Sequence, residues 1–139
     1  MNNRTHTNPE IIFLRVTDAN TKLGRIVNTI QQHFFSGDSL IIFVPSEQAA
    51  SYIDALLWKI PPESFLPHAI AHENSTEKIV ITEKTINLNN ATIALNLRSD
   101  ICNIHECFDK IYELWDESDN QKRVQSVQKM EHYQRLGLC

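Results

Sequence analysis

At 139 residues the chain is long enough for one domain around a single core. Its formal net charge of −4 argues against binding nucleic acid through a basic face, so any DNA is expected to be reached only through other proteins. No apolar run approaches the ~20 residues of a membrane span, Met1 to Pro9 holds no hydrophobic signal region, and Cys102, Cys107 and Cys139 cannot all pair within the chain, which fits free thiols in a reducing cytoplasm.

Residues 1–9 read as a disordered lead-in and residues 10–139 as one α/β domain. Ile11 to Val16 is an apolar run suited to a central strand. Thr17, Asp18 and Asn20 follow as a polar break with capping chemistry, and Leu23, Ile26, Val27, Ile30 and Phe34 then keep helical spacing up to Gly37-Asp38. Leu40 to Val44 is unbroken and rich in β-branched residues, as expected of a parallel strand covered on both faces. Pro45 stops it, Ser46 can cap the next helix, and Ala49, Ile53, Leu56 and Leu57 share one face of that helix. Pro61-Pro62 forbids its continuation.

Glu73 to Lys78 reads as a charged loop, and Ile79–Ile81 and Ile93–Leu97 as short strands joined by turn residues Asn87, Asn89 and Asn90. Asn103 and Glu106 have capping-box spacing ahead of Ile104, Cys107, Phe108, Ile111, Leu114 and Trp115, the strongest helical stripe in the sequence. A last helix is expected from Gln121 to Leu136, closed by Gly137. The sum is a single α/β domain with a mainly parallel central sheet and helices on both faces, Rossmann-like in outline.

The chemistry of a nucleotide site is missing. Gly24, Gly37 and Gly137 make no glycine-rich turn between strand and helix, so neither phosphate-binding fingerprint is present. Cys102, His105 and Cys107 in C-N-I-H-E-C are ligand types for zinc, yet Cys107 belongs to the apolar stripe and no fourth ligand stands nearby. His68 and His72 follow Pro67 in what reads as a loop, Ser46 and Ser51 lack a nucleophile elbow, and Glu113 and Asp116 fall in an acidic run that reads as a solvated face. No cofactor and no metal are expected. The competing reading is a small α/β enzyme dependent on a metal or nucleotide.

Two stretches carry partner chemistry instead. Trp58, Pro61, Phe65 and Leu66 gather large apolar groups on a corner, where they either plug the carboxyl edges of the sheet or form a docking surface. In the last helix Lys122, Lys129 and Tyr133 share a face, flanked by Arg123 and Met130, a pattern for an acidic peptide with an apolar end or for an ordinary solvated helix.

The corner also carries a family likeness. D-A-L-L-W-K-I-P-P-E-S-F-L-P-H, from Asp54 to His68, resembles the signature L-W-x-x-P-x-x-S-F-x-P-H of the chi subunit of bacterial DNA polymerase III, met by Leu57, Trp58, Pro61, Ser64, Phe65, Pro67 and His68. The resemblance implies a non-catalytic clamp-loader accessory subunit that links the replicative polymerase to single-stranded-DNA-binding protein. It implies that Trp58, Pro61, Phe65 and Leu66 meet a psi-like subunit, or a helicase in DNA repair. It implies too that Lys122, Arg123, Lys129, Met130, Tyr133 and Gly137 hold the acidic tail of single-strand-binding protein. Tyr133 and Gly137 match the family's Y-x-x-x-G ending, whereas Val127 stands where familiar members carry Arg and Met130 replaces an aromatic.

Overall fold

The computed structural model describes residues 8–59 and 66–139. The expected lead-in therefore lies almost wholly outside the described residues, as do Pro61 and Phe65 of the corner.

The described chain runs β1 (Glu10–Val16), α1 (Ala19–Phe35), β2 (Leu40–Phe43), α2 (Glu47–Trp58), β3 (His68–Ile70), β4 (Ile79–Thr82), β5 (Ile93–Asn96), one 3₁₀ turn (His105–Cys107), β6 (Lys110–Asp116) and α3 (Asn120–Arg135). The strands form one sheet in the order β1-β6-β5-β2-β4-β3, and every pairing among them is parallel. A sheet of this kind needs cover on both faces. Leu40 and Ile42 of β2 point to a core closed by Ile26 and Ile30 of α1 and Ile53 and Leu57 of α2. Ile41 and Phe43 point the other way, against Ala94, Phe108 and Ile111, and on that second side Tyr133 of α3 meets Phe13 of β1 edge-on, with ring centroids 6.4 Å apart.

Each helix starts where its sequence says it should. Asp18, Ser46 and Asp119 are extended cap residues whose side-chain oxygens accept from the N–H of Thr21, Ala49 and Lys122. Gly37 and Gly137 take the left-handed backbone that ends α1 and α3, and behind them Asp38 N–H and Leu138 N–H reach back to the carbonyls of His33 and Tyr133.

Two elements differ from the sequence reading. The stripe from Ile104 to Trp115 is not a helix: a 3₁₀ turn carries Cys107, and the rest is strand β6. Wedged between β1 and β5, β6 is covered on both faces and shows no alternation that would separate it from a helix. Pairing over its whole length with β1, from Glu10 opposite Lys110 to Val16 opposite Asp116, outweighs the local capping signal. Tyr112 of β6 then reaches the α1 side, where its hydroxyl lies 2.6 Å from His33 Nε2. The second difference is β3, a three-residue edge strand through His68, too short to leave a pattern.

Candidate functional site

α3 is polar along most of its length, and it is held to the sheet by polar groups. Ser126, Lys129 and Tyr133 are its buried residues. Their common target is Glu113 on β6, which is fully buried. Lys129 Nζ donates to Glu113 Oε1 at 2.6 Å, Tyr133 Oη donates to Oε2 at 2.6 Å, and Asn96 Nδ2 of β5 donates to Oε2 at 2.8 Å. Lys129 also donates to the Arg98 carbonyl, and Tyr133 Oη accepts from the Cys102 N–H at 2.9 Å. Burial pushes the Glu113 carboxyl above its usual range, against the pull of Lys129, Tyr133 and Asn96. The Tyr133 hydroxyl is driven far up by burial and by the Glu113 charge, so it remains a donor. One turn earlier, Ser126 Oγ accepts from the Asp116 N–H at 2.9 Å.

Two carboxylates of the acidic run are therefore not on a solvated face. Glu113 and Asp116 are both buried. Burial would raise Asp116, but hydrogen bonds from Ser118 and the nearby Lys22 and Lys122 charges hold it below the ordinary value.

The same geometry divides the residues expected to meet an acidic tail. Lys129 and Tyr133 share a face with Lys122, as the helical wheel predicts, but from Ser126 onward that face points into the protein. Lys129 is committed to Glu113, and Tyr133 is a core side chain, so neither is presented to a partner. Lys122 and Arg123 are exposed, Met130 is half-buried, and Gly137 is exposed at the helix end. A Cβ at Gly137 would meet nothing within 4 Å, so the residue serves the left-handed cap rather than clearing a pocket. Beside Arg123 the helix shows Val124, 54% exposed, and Val127, with Leu136 further along.

At the corner, Trp58 ends α2 with 55% of its surface exposed. Its ring lies over His68, with centroids 4.5 Å apart. His68 is buried; its Nδ1 donates to the Leu66 carbonyl at 2.6 Å, and its Nε2 lies 3.2 Å from Asp54 Oδ1, at ion-pair distance but without hydrogen-bond alignment. The sequence reading did not single out His68 as a support for Trp58; its place two residues after Leu66 carried no periodic signal. Leu66 departs from expectation: it is 1% exposed and belongs to the α1/α2 core, so it is not part of an exposed patch.

Among the described residues no three His, Cys, Asp or Glu side chains converge on a point where a metal could sit. Cys102 is buried, and burial pushes its thiol up to about 12. A thiol that stays protonated at neutral pH is a poor nucleophile. Cys139, exposed at the end of the chain, is expected to react first with a thiol reagent in the folded protein, and Cys102 only after unfolding. Mass mapping of alkylated cysteines at neutral pH checks this, and rapid native labelling of Cys102 would contradict the burial described.

No helix of the described residues is long and apolar enough to cross a membrane. No curated protein matches the sequence. A family model described as DNA polymerase III chi subunit, HolC, matches residues 9–139. That match covers the sheet and the helices, with the corner at Trp58 and the whole of α3, and the chain belongs to the DNA polymerase III chi subunit family, a family of replication accessory subunits.

Proposed function

We propose that this protein is a non-catalytic, cytoplasmic accessory subunit of the clamp-loader complex. It connects the replicative polymerase to single-strand-binding protein, and touches DNA only through its partners. The observation that carries this reading is the outer flank of α3, where the Lys122 and Arg123 cations stand next to exposed Val124 and Val127 and half-buried Met130. Cations beside an apolar strip suit an acidic peptide that ends in an aromatic residue. The corner at Trp58 supplies a second surface, on a different helix, for a psi-like subunit or a helicase.

A peptide ending in acids, an apolar residue, proline and phenylalanine is the direct test. Exposed ion pairs contribute about 1 kcal/mol or less each, so affinity is expected in the micromolar range or weaker. Binding should fall as salt rises. Arg123→Glu should abolish it in a fluorescence-anisotropy titration, while Lys59→Glu, beyond the end of α2, should not. Binding that ignores the Arg123 reversal would remove the α3 flank as the tail site.

A further inference from the structure

The carboxyl edge of the sheet carries a crevice that shares only Lys122 with the α3 flank and nothing with the corner at Trp58. From β2 the chain leaves toward α2 on one face. From β5, the adjacent strand, it leaves toward Cys102 and Phe108 on the other. Where neighbouring connections part in this way, an open parallel sheet leaves a hollow at its strand ends. Here the hollow is a cavity of about 400 Å³ walled by Leu23, Ile26, Val44, Ala49, Ile53 and Leu97. That volume and that lining belong to small-ligand sites.

The charge at its mouth narrows the ligand class. Lys22 in the first turn of α1 and Lys122 in the first turn of α3 both line it. Lys22 Nζ lies 3.5 Å from Asp116, whose charge Lys122 also feels, but Lys122 is exposed and the more open of the two cations. A second, polar hollow of about 230 Å³ shares Lys22 and Lys122 and extends to Arg98 and Gln125. A polyphosphate is disfavoured. One N-terminal amide of each helix, that of Thr21 in α1 and of Lys122 in α3, is already taken by the Asp18 and Asp119 caps, which add negative charge where phosphates would sit. One anionic group with an apolar body fits both the walls and the rim.

We propose that this crevice binds a small organic acid, its apolar or aromatic body between α1 and α2 and its carboxylate at Lys122 and Lys22. The full-length protein titrated with 2-naphthoate should show saturable shifts of the Leu23, Ala49 and Leu97 amide resonances. Neutral 2-naphthylmethanol should bind about fivefold more weakly, because it loses the charge contacts to both lysines, and the acid should bind Lys122→Gln about two- to fivefold more weakly, because one exposed ion pair is lost. Ala49→Trp, which fills the hollow from a half-buried helix position, should abolish binding with the circular dichroism spectrum unchanged. Arg123→Glu, on the outer flank of α3, should leave naphthoate binding intact, which keeps this test separate from that of the tail. Absence of saturable shifts, equal binding of the alcohol, or undiminished binding to Lys122→Gln or to folded Ala49→Trp would overturn the assignment. Loss on Arg123→Glu would place the acid on the outer flank instead and overturn it equally.

Discussion

Lys129→Met is expected to destabilise the protein by about 3–5 kcal/mol in urea unfolding, because it leaves the buried Glu113 carboxylate without its cation. Pairing it with Glu113→Gln should recover much of that loss, since the neutral amide no longer needs a counter-charge. A Lys129→Met protein within about 1 kcal/mol of the parent would show that Glu113 is not the anchor of α3. The consequence for binding assays is direct. Charge reversal at Lys129 would weaken tail binding by loosening α3, not by removing a contact with the peptide. Arg123 is free of that ambiguity, being exposed.

Trp58→Ala should weaken capture of a psi-like partner at least about tenfold while the melting temperature stays close to that of the parent, since truncating an interface anchor commonly costs ~2 kcal/mol or more. The expectation rests on a large ring more than half exposed and held over His68. Leu66→Ala, in contrast, should cost about 2–5 kcal/mol of folding stability, as a buried leucine does. Partner titration by calorimetry, set beside thermal melts, distinguishes the two variants. Unchanged partner affinity in Trp58→Ala would remove the corner as the docking surface.

Much of the fold was legible because local and global signals agreed. The caps Asp18 and Ser46, the apolar runs of β1 and β2, and the period of α1 and α2 all pointed the same way. β6 was not legible, since a strand buried on both faces has no period of its own, and Ile104, Ile111, Leu114 and Trp115 happened to fall at helical intervals. Glu113 was misread for a related reason. An acid in an acidic run looks solvated until its donors, Lys129 and Tyr133 from α3 and Asn96 from β5, are known to surround it. The stripe 122, 126, 129, 133 was visible on the wheel, but a wheel fixes which residues share a face, not which way the face turns. The hint that was available is chemical: a carboxylate between the apolar Tyr112 and Leu114, with a lysine and a tyrosine four apart on a following helix.

The pairing of the first strand with the last has a consequence for how the chain acquires its shape. β1 touches no strand but β6 in the described sheet, and Glu10 waits for Lys110. While the chain emerges from the ribosome, β1 remains without its partner until everything as far as β6 has been made, and the Arg15–Glu117 pair that bridges their ends at 2.7 Å closes later still. Contacts so distant in sequence pay a large loop-closure entropy before they contribute, which slows folding. Until then the apolar Ile11–Leu14 edge is open to misassociation, so the interval between synthesis of β1 and of β6 is when the unpaired strand is most exposed to wrong partners.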